Sequence, residues 1–150
     1  IDIMIDNNHI FHPMECTNLK DWGTFDDWIN YKKLRSAYFF DIDGVIYENG
    51  SEFWEPKWGE NKVMIDAKNK INELFNSGNQ IILTTSRPEK LREITINQLN
   101  RDGVLYHQLV MGIFHGTRYL INDYSDTNPY PAVKAINTKR DSCDFLEKIR

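Results

Sequence analysis

Tyr38-Phe39-Phe40 is a short unbroken apolar run that ends abruptly in Asp41-Ile42-Asp43-Gly44. A continuous apolar run of this length reads as a buried strand, the habit of parallel sheets. Asp41 and Asp43 then stand at its C-terminal end, on one side of an extended chain because side chains alternate with a period of two. In open parallel sheets ligands bind beyond the carboxyl ends of the strands, so this junction constrains both the fold class and the place for chemistry. Gly44 lets the chain turn.

Beyond Gly44 the chain alternates in kind. Over residues 61–78 the apolar Met64, Ala67, Ile71, Leu74 and Phe75 recur at helical spacing, with Gly78 as a C-terminal stop. Residues 80–85 are strand-like through Ile81, Ile82 and Leu83, and Pro88 can open a second helix that ends near Gly103. Further strands are expected at 106–111, 119–121 and 132–136. The rhythm predicts an α/β fold, a three-layer, Rossmann-like sandwich around a central, mostly parallel sheet. There is no internal repeat.

A chain of 150 residues suits one compact catalytic domain rather than two. Its net charge of -4, with no run of Lys or Arg longer than two, argues against a nucleic-acid surface. A small substrate is expected. No stretch approaches the roughly 20 apolar residues of a membrane span, and no basic segment followed by an apolar one opens the chain. Cys16 and Cys143 lie far apart without metal-ligand spacing, which fits a reducing cytoplasm better than a disulfide framework.

The strand ends carry the candidate chemistry. After the first come Asp41 and Asp43; after the second, Thr84, Thr85, Ser86 and Arg87; after the fourth, Asn122, Asp123 and Asp126. Carboxylates gathered in one crevice repel unless a cation neutralises them, and oxygen ligands imply a hard metal, most simply magnesium. Taken singly, each of these residues also reads as an ordinary turn residue.

In these motifs the stretch from Ala37 to Asn137 resembles the haloacid dehalogenase superfamily. Its Asp-x-Asp motif is matched by Asp41-Ile42-Asp43-Gly44-Val45, its Ser or Thr at the next strand end by Thr85, and its later acidic pair by Asn122-Asp123. Thr85-Ser86-Arg87 is most similar to the small phosphatase-like proteins of surface-polysaccharide pathways. The resemblance implies a magnesium-dependent phosphomonoester hydrolase acting on a sugar phosphate or related precursor. Asp41 would attack phosphorus and Asp43 would act as acid and base. Asp41, the Asp43 carbonyl and Asp123 would hold Mg2+. Thr85, Ser86 and Arg87 would receive the phosphoryl group.

The pattern has departures. The superfamily's third motif is a Lys or Arg, and no Lys lies between Val104 and Lys134. Arg118 precedes Asp123 by five residues, and a strand at about 3.3 Å per residue would carry it roughly 16 Å away. Arg87, with a guanidinium fork suited to phosphate, is the preferred substitute, set against its capping a neighbouring carboxylate or lying on the surface. Asn122 replaces one expected carboxylate. His107 and His115 receive no role. The space between Asp43 and Thr85 is mostly helix, so a minimal, capless form is expected. Residues 47–59, with Trp54 and Trp58, make either a small flap or core packing.

A boundary near Arg35 or Ser36 separates a tail, 1–35, from the phosphatase-like region, 36–150. The tail holds a possible strand at 1–5 and a helix running to Lys33, capped by Thr24 with Asp27 closing the box. Residues 21–28 also resemble the closing segment of sugar-phosphate nucleotidyltransferases. On that reading the chain is the C-terminal piece of a bifunctional protein. The expected partners are then a small phosphorylated substrate, a fused nucleotidyltransferase domain or a second copy. The competing functional class is a catalytically weak or inactive binding or assembly module.

Overall fold

The computed structural model describes residues 23–50, 56–127 and 133–149. The chain divides into two compact units, Ile1–Leu34 and Arg35–Arg150. In the first, helix α1 spans Phe25–Lys33. The Thr24 hydroxyl accepts the Asp27 N–H at 3.1 Å while the Asp27 carboxylate accepts the Thr24 N–H at 3.2 Å. This reciprocal box satisfies donors that a helix start otherwise leaves bare. The strand expected at 1–5 lies outside the described residues.

The second unit is α/β. Strands β1 (Ala37–Asp41), β2 (Gln80–Thr84) and β3 (Gln108–Val110) form a parallel sheet in the order β1-β2-β3. Parallel neighbours need a crossover, and helices α2 (Ile65–Asn76) and α3 (Arg92–Asp102) supply the two. Asp41 is opposite Thr84, and Thr84 is opposite Val110. That register brings the ends of all three strands level, and it continues beyond them through Ile42 N–H to Thr84 O at 3.1 Å and Thr85 N–H to Val110 O at 3.0 Å.

Helix α2 buries Ala67, Ile71 and Leu74, one face at helical spacing. Both helices stop at glycines with positive φ, 84° at Gly78 and 67° at Gly103. At each stop the next residue's N–H reaches back, Asn79 to Leu74 O and Val104 to Leu99 O, closing the last carbonyls. The core joins Phe40, Ile42, Ile46, Tyr47, Ile71, Ile81, Leu83 and Leu99, and Phe145 of the C-terminal 3-10 turn (Asp144–Glu147) packs edge-on against Phe40.

Three expectations are corrected. Strand β1 is not buried throughout: Phe40 is in the core but Phe39, on the opposite face of the strand, is 56% exposed. No strand forms at 119–121, where Ile121 is 94% exposed. Gly112 turns the chain at φ 71°, and between residues 114 and 124 no main-chain ladder forms among the described residues. An apolar run makes a strand only where a ladder partner is supplied. Residues 133–136 likewise form no strand, and Ala132 lies outside the described residues.

Candidate functional site

The C-terminal ends of β1 and β2 feed one recess. Beyond Asp41 the chain turns at once: Gly44 adopts φ 81° and donates its N–H to Tyr47 O at 2.7 Å, while Ile46 and Tyr47 N–H groups both close on Ile42 O at 3.0 Å. Residues 46–48 then run antiparallel to 62–64, through Glu48 N–H to Lys62 O at 2.9 Å and Met64 N–H to Ile46 O at 2.8 Å. Residues 56–61 lead into this narrow ribbon, and their Trp58 lines the recess. Trp58 is half-buried, while Trp54 lies outside the described residues.

At the floor is a closed polar circuit. Arg87 donates to Asp43 through both arms of its fork, Nε to Oδ2 at 2.9 Å and Nη2 to Oδ1 at 2.7 Å. Its remaining Nη1 donates to Gln98 Oε1 at 2.8 Å. Gln98 Nε2 donates to Asn61 Oδ1 at 3.3 Å, and Asn61 Nδ2 returns to Asp43 Oδ1 at 3.1 Å. Thr85 is drawn in as well, its hydroxyl donating to Asp43 Oδ2 at 3.4 Å and accepting the Arg87 N–H at 3.0 Å. Arg87 is 1% exposed. A guanidinium so buried persists only when paired and fully hydrogen-bonded, which this circuit provides. Tyr47 packs alongside, the guanidinium carbon 6.0 Å from its ring centre. Burial, with Asp102 nearby, pushes the Tyr47 phenol above its usual range, so it stays a neutral donor to Gln98 O at 3.3 Å.

Asp41 sits differently. It lines two adjoining clefts, one of about 110 Å³ shared with Asp43, Trp58, Thr85, Ser86, Arg87 and Arg140, the other of about 580 Å³ shared with Ser86, His115 and Arg118. Arg118 Nη2 meets Asp41 Oδ1 at 3.3 Å, and the pair is exposed on both sides. The strand geometry that placed Arg118 out of reach fails because its segment is not a strand and folds back to the sheet ends. Arg87 caps a neighbouring carboxylate, the alternative that sequence had set beside phosphate binding.

Asp41, Asp43, Thr85, Ser86 and Arg87 are thus brought together, and Asp123 is not. It is exposed, next to Asn122, whose amide donates to the Asp123 carbonyl at 3.2 Å. Among the described residues no group of three or more His, Cys, Asp or Glu side chains could hold a metal ion. Asp41 and Asp43 line the small cleft, whereas Asp123, the further ligand that the resemblance implied, lines neither cleft. Sequence reasoning passed over Asn61, Gln98 and Arg140, none of which stands in a motif; their placement depends on the ribbon, α3 and the C-terminal turn.

No family model matches the chain, and no curated protein matches it. Two solved structures are similar. A structural-genomics target protein from Vibrio cholerae aligns at 16% identity over 57% of this chain and 79% of that one, with a TM-score of 0.46. A chain of the Pnkp1/Rnl/Hen1 complex aligns at 17% identity over 79% of this chain and 44% of that one, with a TM-score of 0.48. The present chain thus spans less than half of the latter's length.

Proposed function

We propose that the chain is a phosphomonoester hydrolase acting through Asp41, with a haloacid-dehalogenase-like core. The observation that carries this reading is the meeting of Asp41 and Asp43, from the end of β1, with Thr85 and Ser86, from the end of β2, around one cleft. Asp41 Oδ attacks phosphorus and the bond to the leaving oxygen breaks, with a proton supplied to that oxygen by Asp43, whose Oδ1 must first release Arg87 Nη2 and take up that proton from solvent. Water, giving a proton to Asp43, then attacks the aspartyl-phosphate, whose P–O bond breaks to release phosphate and restore Asp41. The wider cleft beyond Ser86 has room for a leaving group of sugar size. A sugar phosphate of surface-glycan synthesis in the cytoplasm, and a fused nucleotidyltransferase or second copy as partner, belong to this reading through the sequence resemblance.

Magnesium is carried by the resemblance more than by the geometry, since Asp123 is not with Asp41, and no step above passes through it. The test is phosphate release from a panel of sugar phosphates, with and without magnesium. Asp41-dependent turnover supports hydrolysis; a panel without any turnover that Asp41→Asn removes refutes it. The second reading, a binding or assembly module, is favoured by the pairing of both carboxylates with arginines, Asp43 with Arg87 and Asp41 with Arg118. Phosphate binding without turnover selects it.

A further inference from the structure

The small cleft has two chemically unlike halves. Asp43, Thr85 and Arg87 satisfy one another, so their donors are spent. Across from them stand Ser86, Trp58 and Arg140, which also line the cleft. Among the described residues Arg140 has no ion pair and Ser86 no side-chain partner.

Arg140 is also held in place. A Cβ built on Gly44 would come within 3.0 Å of Arg140 Cγ, so the arginine stem lies on the bare glycine that follows Asp43. Its turn is tied to the site by Asp141 N–H to Gly44 O at 2.9 Å and by Asn49 N–H to Asp141 Oδ1 at 2.6 Å. Asp144 secures the far side, accepting from Lys139 N–H at 3.2 Å, Ser142 Oγ at 2.9 Å and Lys148 Nζ at 2.8 Å.

We propose that Arg140, with Ser86, is the oxyanion seat of the cleft and binds the tetrahedral dianion of phosphate or a phosphomonoester. Arg140 supplies the positive charge that neither Arg87, spent on Asp43, nor a lysine in the region before Lys134 provides. A guanidinium fork beside a hydroxyl offers donors and a positive charge to an anion in a cleft that Asp41 and Asp43 also line. The proposal rests on the phosphoryl-directed reading of the same cleft, but it concerns binding and is separable from turnover.

The experiment is calorimetric titration of inorganic phosphate into the full chain and its variants. Saturable binding is expected for the wild type, weakened on the order of 10–100-fold in Arg140→Gln, as for loss of a hydrogen bond to a charged group, and partly restored in Arg140→Lys. Asp41→Asn, which removes the attacking carboxylate, should bind phosphate at least as tightly as the wild type. Wild-type chain without saturable binding, Arg140→Gln within twofold of wild type, or loss of binding in Arg118→Gln instead, overturns the proposal. Arg140-dependent binding without any turnover would retire the hydrolase and keep the seat; Asp41-dependent turnover indifferent to Arg140 would do the reverse.

Discussion

The Arg87–Asp43 pair can be weighed by a double-mutant cycle. Arg87→Met keeps most of the stem and removes the guanidinium, leaving Asp43 without its fork and Gln98 Oε1 without its donor. Removing one partner of a buried ion pair costs about 3–5 kcal/mol. The Asp43 side chain is 17% exposed, so water can take up part of the loss and the lower end, about 3 kcal/mol, is expected. Asp43→Asn is the worse change, because it strands a guanidinium whose side chain is 0% exposed; about 5 kcal/mol is expected. The double variant leaves neither charge behind and should cost less than the sum of the two by about 2 kcal/mol or more. Urea unfolding reads this directly: with a slope of about 1–3 kcal/mol per molar, Arg87→Met lowers the midpoint by about 1–3 M at unchanged slope. Additivity within about 0.5 kcal/mol would refute the argument, since it would mean that the two groups do not share a desolvated pair.

Asp123→Asn is expected to leave turnover and phosphate affinity unchanged, whereas Asp41→Asn abolishes turnover; a steady-state assay in which Asp123→Asn is equally dead would place Asp123 in the site. Gly44→Ala forces a side chain into φ 81° against the Arg140 stem, and is expected to lower stability by about 1–2 kcal/mol in thermal melts and to weaken phosphate binding. Lys148, then Thr138 and Ser142, hold the Asp144 carboxyl well below the usual carboxylate range. Such a group adds stability that is present above its unfolded pKa of about 4 and is lost as the pH falls through the lower folded value. The wild-type advantage over Asp144→Asn in urea should therefore persist at neutral pH and vanish in strong acid. Arg118→Gln, which breaks an exposed pair, is expected to change stability by no more than about 1 kcal/mol; a larger fall in the melting midpoint would mean that the contact is structural.

The parts of the fold that were legible are those governed by local chemistry. Ala67, Ile71 and Leu74 announce a helix face whatever surrounds them, and Gly78 and Gly103 announce its kind of stop, because left-handed backbone strongly favours glycine. The Thr24 and Asp27 box is local in the same sense. The run at 119–121 misled because apolarity is a statement about burial, and a strand also requires a neighbour with free main-chain groups. Arg118 was misplaced by the same error, since its distance was measured along a strand that does not form. Asp41 and Asp43 could be placed from the junction alone. That Arg87 would serve Asp43 could not, because the choice between a ligand and a carboxylate depends on Gln98 and Asn61, which arrive from elements distant in sequence.

The two carboxylates, two residues apart, are held by arginines in opposite ways, and this difference separates their roles. The Arg87–Asp43 contact is buried on the arginine side, uses both carboxylate oxygens, and is tied into a circuit that must break as a whole. The Arg118–Asp41 contact engages one oxygen at 3.3 Å, with side chains 43% and 37% exposed. An exposed pair of this kind is worth about 0–1 kcal/mol and is screened by salt, so an entering anion can draw Arg118 away from Asp41 at little cost. A phosphoryl group seated on Arg140 would then meet a carboxylate with a free oxygen, at the wall shared by the small and large clefts. The fork on Asp43 meanwhile keeps that carboxylate oriented without ordering by the ligand, which is preorganisation in the sense that matters for transfer chemistry. On the proposed hydrolase reading, Asp41 is then the group free to react and Asp43 the group held in place beside it. Exchanging those roles would require the buried guanidinium to leave and the exposed one to stay, the more costly choice on both counts.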